Sequence, residues 1–254
     1  MSLDLSLASG VALALGGIRA TAWLFIVPGF GRWIPPVVRA LLAIALVLPA
    51  APTLTAQVPP LTTAGILSAA VLQVALGAAL GFLTFLVFAA VQAAGDLIDV
   101  TSGYSLSSAF DPLSVAPSSV FGRLHQMLAV ALLFALDLHL VLVRGFLTSF
   151  EALPLDAGFS LDTLASLLTD GIGRMFLSAA QIAGPMVAVL FLSDVGLALL
   201  TRVAPTLNAF SVGFPVKMLL TLLVVGVTLP ALPAAVERVV DTGSLAVATL
   251  LGLT

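Results

Sequence analysis

Long apolar segments separated by short polar ones dominate the pattern of the chain. Between Ala40 and Gly95 there is no Asp, Glu, Lys or Arg, and a run of this length without charge is tolerated in lipid far better than in water. Alanine and leucine dominate the apolar segments, without the short alternation that barrel strands show, so the pattern predicts helices. About six such segments are predicted, at 7–29, 37–53, 64–94, 122–143, 174–200 and 216–236.

Composition agrees with a protein embedded in lipid. Hydrophobic residues make up 61% of the sequence and charged residues only 8%, whereas a soluble domain carries roughly a quarter charged residues. The predicted fold class is therefore an all-α integral membrane protein. The lack of cysteine excludes disulfides, thiolate metal sites and cysteine nucleophiles. A net charge of -3 without a basic patch argues against a nucleic-acid partner.

Two apolar segments have unusual lengths. As an unbroken helix, 64–94 would be about 46 Å long, against about 30 Å of hydrocarbon. Within it, Gly77 and Gly81 form a G-x-x-x-G pair, which either lets another helix approach closely or is incidental glycine in an alanine-rich helix. The segment from Val37 to Pro49 is predicted to be too short to span, because prolines bound it. The first two segments are therefore expected to form a bent hairpin.

The richest polar stretch, 92–112, joins the third and fourth segments. Turn signals at Gly103 and at Asp111-Pro112 leave Phe110 at the tip of a predicted loop. A bulky ring among small residues can close a pore by dewetting, and the alternative is a surface loop whose phenylalanine packs back onto a helix. The loop residues considered for a plug are Gly103, Tyr104, Ser105, Leu106, Ala109, Phe110, Asp111 and Pro112.

Ionisable residues occur at two places near or within apolar segments. Asp96 and Asp99 lie near the predicted C-terminal end of the third helix, where the helix dipole disfavours anions. They are expected either to face an aqueous vestibule or to pair with a basic residue of another chain. Asp137 and His139 lie inside the fourth segment but on opposite helix faces. They are predicted to be buried polar residues bonded at a helix interface, with a proton path as the alternative.

The connection between the fifth and sixth segments carries positive charge at both ends, at Arg202 and Lys217. Pro205 and Pro215 are predicted to end helices, while Asn208 and Gly213 permit tight turns. A short apolar turn between two long helices describes a hairpin, and its simplest role is that of a connector at the membrane interface.

Blocks of residues along nearly the whole chain, in order, resemble the FliR family of flagellar export-gate subunits. The first block contains Gly95, Ile98, Gly103, Ser105 and Phe110-Asp111-Pro112. The second contains Arg202, Pro205, Asn208, Phe210, Gly213-Phe214-Pro215 and Lys217. Between them lie Asp137-Leu138-His139, Arg144 and 149–154. Virulence type III secretion has a homologous subunit of the SctT/SpaR type. The sequence Gly213-Phe214-Pro215 and the surroundings of Phe110-Asp111-Pro112 resemble the flagellar branch more closely.

The resemblance implies a core subunit of the flagellar type III protein export gate, multi-pass in the bacterial inner membrane within the basal body. It implies one FliR-type domain, 1–254, made of bent hairpins in a helical assembly. Residues 1–173 would form a FliP-like part that includes a plug loop at 100–122, and 174–254 a FliQ-like helical hairpin. It also favours the Phe110 plug over the surface loop, and it implies no catalysis and no cofactor or metal.

The implied partners are FliP-like and FliQ-like gate subunits, an FlhB-like protein, unfolded export substrates and membrane lipid. Contacts with partners or within helix hairpins are expected at Gly77, Gly81, Asp96, Asp99, Arg202, Pro205, Asn208, Phe210, Gly213, Phe214, Pro215 and Lys217.

Two other classes of protein fit the sequence less well. A proton-coupled secondary transporter using Asp137 and His139 would be expected to show inverted repeats around a polar midplane site, and no internal repeat is evident. An intramembrane protease would need paired aspartates or a serine and histidine pair, and neither G-x-S-x-G nor G-x-G-D occurs in the chain.

Overall fold

The computed structural model describes residues 7–28, 34–105, 119–155, 161–204 and 209–252, without the side chains of 161, 163, 209–212 and 250. Every regular element within these ranges is helical, which confirms the all-α prediction. The helices are α1 Leu7–Ile26, α2 Pro36–Val47, α3 Ala51–Thr55, α4 Thr63–Ser102, α5 Val120–Ala135, α6 Leu138–Ala152, α7 Leu161–Val203, α8 Ala209–Thr228 and α9 Leu232–Leu250. Short 3₁₀ turns at Leu48–Ala50 and Leu229–Ala231 join α2 to α3 and α8 to α9.

Several of these helices are long and apolar enough to cross a membrane. In the described part of the chain they are Leu7–Ile26, Pro36–Thr55, Thr63–Ser102, Leu164–Val203 and Gly213–Thr249. A sixth span results if the broken pair Val120–Ala135 and Leu138–Ala152 counts as one. The prediction of a membrane protein with about six apolar helical segments is confirmed.

Several predicted boundaries differ from the structure. The second segment was expected to be too short to span, but its helix continues through the 3₁₀ turn to give a run of 20 residues, Pro36–Thr55. The third helix extends to Ser102, so at 40 residues it is about 60 Å long by its helical rise. Pro215 does not end a helix, because it lies inside α8. A helix tolerates such a proline in an apolar setting where neighbours satisfy the freed carbonyl.

The fourth segment is also interrupted, at Asp137. This residue has a φ of 55°, the left-handed region that breaks a right-handed helix. Aspartate adopts this conformation more readily than most residues. The helix therefore ends at Ala135, and α6 begins at Leu138 with a bond from the Leu140 amide to the Asp137 carbonyl oxygen.

The chain divides into two compact units, the first made of three separate stretches of sequence and the second of two. Unit 1 comprises Met1–Val87, Leu136–Ile172 and Val240–Thr254. Its aromatic core contains Trp23, which stacks on Phe146 with ring centroids 4.7 Å apart, and Phe150, whose ring meets Phe146 edge-on. In the same unit α1 packs against α2 and α3. The absence of a side chain at Gly16 leaves room for Leu54.

Unit 2 comprises Phe88–Ala135 and Gly173–Val239. Its apolar core brings together residues of α4, α5, α7 and α8, namely Ala94, Ile98, Phe121, Ala183, Met186 and Val225. Across the neighbouring helices α7 and α8, Lys217 Nζ lies 2.7 Å from a carboxylate oxygen of Asp194. The division of the chain into FliP-like and FliQ-like parts concerns a likeness to other folds, and it stays a prediction.

Candidate functional site

The flanks of the predicted plug loop meet in unit 2, although the loop itself lies outside the described residues. Of the residues considered for the plug, Gly103, Tyr104 and Ser105 are described. Those outside the description are Leu106, Ala109, Phe110, Asp111 and Pro112. Residues 106–118 connect Ser105 to Ser119 in sequence, and the described residues before and after them form the candidate site.

Asp99 is the polar centre of this site. It is only 2% exposed. Its Oδ2 accepts hydrogen bonds from the Ser119 hydroxyl and from the Phe121 amide, at 2.9 Å in the second case, and it lies 3.5 Å from the Gly122 amide. These amides lie in the first turn of α5. A helix N-terminus stabilises a carboxylate through its unpaired N–H groups and its dipole.

In the described part of the chain, Asp99 is buried and is bonded by the start of α5. The expectation that the acid pair meets a basic residue of another chain stays a prediction. Asp99 lies near the C-terminal end of α4, where the helix dipole disfavours an anion. Its side chain nevertheless reaches the N-terminal end of α5, where the dipole favours one. Asp96, one turn earlier, is half-buried and its Oδ1 lies beside Gly122.

Glycine at two positions lets α4 and α5 approach this closely. A methyl group on Gly95 would overlap the carbonyl of Phe121 and the amide nitrogen of Gly122. A methyl group on Gly122 would overlap the Asp96 carboxylate and the Ser119 hydroxyl. The backbone of α4 thus passes directly over the first turn of α5, which is what brings the Asp99 side chain within reach of the amides.

Aromatic and hydroxyl contacts complete the site. The rings of Tyr104 and Phe121 meet edge-on with centroids 5.1 Å apart. The Ser102 hydroxyl donates to the Asp99 carbonyl oxygen and lies 3.4 Å from the Tyr104 amide. One turn into α5, His125 Nδ1 lies 2.8 Å from the Phe121 carbonyl oxygen, so Nδ1 is the ring nitrogen that donates. Residues before and after 106–118 are therefore joined by both polar and apolar contacts.

The glycine pair in α4 also makes a close helix contact, and the partner is α1 of the same chain. A methyl group on Gly77 would overlap the Arg19 carbonyl oxygen, and one on Gly81 would lie 3.0 Å from Ile26 Cβ. The pair is therefore not incidental, because its lack of side chains is what the approach of α1 requires.

Arg19, at this crossing, is a buried cation that the sequence interpretation overlooked. It is 0% exposed. Its Nε donates to Gln73 Oε1 at 2.6 Å, Nη1 to the Ser149 carbonyl oxygen at 2.7 Å, and Nη2 to the Leu153 carbonyl oxygen at 2.8 Å. The guanidinium also lies over the Phe150 ring, 4.7 Å from its centroid. A lone arginine inside a 20-residue apolar helix was the signal for it.

The last carbonyls of α6 are what this cation binds. Ser149 lies in the last turn of α6, Leu153 follows its end, and Gln73 Nε2 donates to the Leu155 carbonyl oxygen at 3.0 Å. A helix C-terminus carries partial negative charge, so a guanidinium is stabilised there without an acid. Unit 1 therefore holds a cation at a helix C-terminus, while unit 2 holds an anion at a helix N-terminus.

The remaining predicted site residues are dispersed. Within this single chain the helix break leaves the Asp137 side chain exposed, while His139 is half-buried, and their burial at a helix interface stays a prediction. Arg202 is exposed near the end of α7. Gly213 is buried against Leu197, Phe214 and Lys217 are half-buried, and Pro215 is exposed, all in α8. Pro205 and Asn208 lie outside the described residues, and the Phe210 side chain is not described.

The arrangement joins the end of α4 to the start of α5. Among the described residues no group of three or more His, Asp or Glu side chains could hold a metal ion. The polar groups of the site are instead used within the chain, by helix ends that come from separate parts of the sequence. Apolar helices of spanning length, joined by buried charges at helix ends, define the class as a membrane-embedded helical protein.

Comparison with known proteins identifies the family. Residues 11–243 match the family described as bacterial export proteins, family 1, and the chain belongs to that family. It is 35% identical to flagellar biosynthetic protein FliR of Escherichia coli (strain K12) over 201 residues, 79% of this chain and 75% of that protein. It is 29% identical to FliR of Pectobacterium carotovorum subsp. carotovorum over 222 residues, 87% of this chain and 85% of that protein.

A protein from a different secretion system is also similar. Yop proteins translocation protein T of Yersinia pestis is 27% identical over 147 residues, which are 57% of this chain and 56% of that protein. The FliR relatives match at higher identity or over a larger share of the chain. The expected resemblance to the FliR family is confirmed, and so is the relationship to a virulence counterpart.

Proposed function

We propose that this chain is a core subunit of the flagellar type III protein export gate in the bacterial inner membrane. The observation that carries the proposal is the family match over 11–243 together with the FliR relatives. The gate would pass unfolded flagellar proteins across the membrane, in a complex with FliP-like and FliQ-like subunits and an FlhB-like protein. Exposed apolar side chains along α7 and α8, such as Phe191 and Leu223, suit burial in lipid or against such subunits.

The chain would act as a gated conduit without catalysing a reaction. Its charged groups support this reading, because Arg19 and Asp99 bind helix ends within the chain instead of lining an open cavity. Energy for export would come from the proton motive force and from an ATPase outside this chain. The chain would supply shape, a closing element and contacts with its partners.

The closing element would be the loop that carries Phe110. Support comes from its flanks, because Asp99, Tyr104 and Phe121 tie the residues before 106 to those after 118. A loop whose ends are held and whose middle carries small residues can swing aside without repacking the helices beneath it. In the resting gate the Phe110 ring would form an apolar constriction that excludes water and ions.

Deleting residues 106–112 tests the plug. The assembled gate that carries the deletion is expected to leak ions in resting cells, and the intact gate expressed at the same level is the control. The leak is measured as the current across a planar bilayer containing the purified gate, and as the loss of membrane potential in cells. A gate that assembles normally and shows no added leak would rule out the plug.

A virulence role is the second candidate, and the likeness to the Yersinia translocation protein favours it. Removing the gene from its native host separates the two. The flagellar proposal predicts loss of motility and of secreted flagellar proteins, both restored by the intact gene. Loss of secreted virulence effectors with normal motility would instead assign the chain to the virulence system.

A further inference from the structure

We propose that the exposed middle of α7 is a docking face for a membrane helix of a partner subunit, and that the helix it accepts presents a hydrogen-bonding side chain, such as Asn, Gln, Ser or Thr, to Gln181. The proposal rests on the proposed function, because it takes the chain to be one subunit of a membrane complex. The surface, which we call the Gln181 face, is formed by Ala180, Gln181, Gly184, Pro185 and Ala188.

The position of Gln181 along α7 places its side chain deep in the hydrocarbon. Arg174 and Asp194 are consecutive charged residues of this helix, and residues 175–193 between them carry no charge. At the helical rise these residues span about 28 Å, close to the roughly 30 Å of a hydrocarbon core. Gln181 lies about 5 Å along the axis from the middle of this stretch. Its carboxamide therefore lies at a depth where the bilayer offers no water.

The same residue faces away from the core of its own chain. Ala183, Met186 and Leu190 lie on one side of α7 and are buried. At 3.6 residues per turn Gln181 lies on the other side, and it is exposed. It forms no hydrogen bond within the described part of the chain. Because an amide without a partner is costly in hydrocarbon, we infer that its partner comes from another chain.

Pro185 adds a second polar group at the same place. It lies inside α7 and has no amide hydrogen. The carbonyl oxygen of Gln181, one turn earlier, therefore lacks the donor that an uninterrupted helix supplies. Gln181 thus presents a side-chain amide that donates and accepts, together with a backbone oxygen that accepts. Lipid tails satisfy none of these groups, whereas a polar side chain on a neighbouring helix satisfies them.

The residues around the amide leave room for a helix to come close. A methyl group on Gly184 would meet no other part of the described chain within 4 Å. Ala180 and Ala188, one turn to either side, are exposed. Small residues at this spacing let two helix backbones approach closely enough for a polar side chain to bond. Leu177 and Leu192, which are 59% and 67% exposed, lie beyond them and supply apolar contact.

Three variants of the face test the proposal in the complex purified from the native membrane. Gln181→Leu removes the amide, Pro185→Ala supplies the missing backbone donor, and Gly184→Leu fills the open space. The measurement is the ratio of complexed to free chain after a fixed exposure to detergent. An average hydrogen bond between membrane helices corresponds to about a threefold change in an equilibrium constant. The ratio is therefore expected to fall about threefold for each lost bond, and further in Gly184→Leu.

Two controls separate docking from folding. Gln126→Leu changes a half-buried glutamine of α5, away from the face, and should leave the ratio unchanged. The free energy of unfolding of each isolated face variant should stay at or above that of the intact chain, because each replacement forms helices at least as well as the residue it replaces. A face variant that unfolds more easily on its own would show a structural role and overturn the proposal.

A spin label on the face identifies what covers it. The sequence has no cysteine, so Ala188→Cys carries a single nitroxide, and dissolved oxygen in the hydrocarbon reports whether lipid reaches that label. The label is expected to lose access to oxygen when the chain assembles with its partner subunits in bilayer nanodiscs, because a helix then covers it. The same label on the isolated chain is the reference.

The outcomes that would overturn the proposal are distinct. An unchanged ratio in Gln181→Leu and Pro185→Ala would show that no hydrogen bond is made to this face. Unchanged access to oxygen on assembly would show that lipid covers it, and a disulfide between two copies of Ala188→Cys would show that a second copy does. Recovery of the intact chain without partner subunits would instead reject the proposed function, and the docking proposal with it.

Discussion

Replacing the buried Arg19 should destabilise unit 1 by an amount that its bonds allow us to work out. Arg19→Leu leaves Gln73 Oε1 and the carbonyl oxygens of Ser149 and Leu153 without their donor. A hydrogen bond between helices in a membrane averages about 0.6 kcal/mol, and a buried acceptor left unsatisfied loses about 1 to 3 kcal/mol. Relief of the buried charge offsets part of this loss, so a net decrease of about 2 to 3 kcal/mol in the free energy of unfolding is expected.

Companion variants separate the network from the charge. Arg19→Lys keeps the charge but lacks the planar fork that reaches three acceptors at once, so most of the loss should remain. Each single substitution, Arg19→Leu or Gln73→Leu, leaves the other partner of the Arg19–Gln73 hydrogen bond unsatisfied. The double variant removes both partners, so it should be about 1 kcal/mol more stable than the sum of the two single effects predicts. Arg144→Leu, an exposed arginine of the same unit, is the control.

Unfolding of the purified chain by titration with a denaturing detergent measures these free energies. The reasoning about Arg19 would be refuted by an Arg19→Leu variant within about 0.5 kcal/mol of the intact chain, the range of ordinary surface substitutions. A loss in Arg144→Leu of the same size would refute it equally, because it would show that any arginine in this unit has that effect.

The same titration checks two further predictions in unit 2. Gly95→Ala should lower the free energy of unfolding by about 1 to 3 kcal/mol, because the added methyl group overpacks against Phe121. Gly184 has open space around it, so Gly184→Ala should raise the free energy of unfolding by up to about 1 kcal/mol. Equal effects of the two substitutions would show that helix propensity alone determines the change in stability. For Lys217 and Asp194, whose side chains are 16% and 50% exposed, a double-mutant cycle should give a coupling of about 0.2 to 1 kcal/mol, and no coupling would mean that the pair does not hold α7 to α8.

Hydropathy located the membrane-crossing segments but not the ends of the helices. The fifth segment was predicted at 174–200, yet α7 runs over Leu161–Val203 and includes Asp162 and Asp170. Charged residues mark where a chain leaves hydrocarbon, whereas a helix continues into water as long as its backbone bonds are satisfied. The break at Asp137 was not predicted, because one residue in the left-handed conformation among leucines does not change the hydropathy pattern.

The pairings at the site depend on tertiary structure. Asp99 reaches donors 22 positions away at Phe121, and Arg19 reaches an acceptor 130 positions away at Ser149. A single sequence shows that each charge lies in or beside an apolar segment, which marks it as exceptional. It does not show which helix end satisfies that charge. The glycine pair in α4 was predictable, because small-residue spacing is a local signal, whereas the plug at Phe110 stays a prediction.

Recovery of the tagged chain from its native membrane, in mild detergent and with the co-purifying proteins identified by mass spectrometry, tests the central claim most directly. The export-gate account predicts stable recovery with FliP-like and FliQ-like proteins, in fixed proportion and resistant to salt washing. Recovery as a lone or homomeric chain that transports a small solute would contradict it, and would support a secondary transporter in its place.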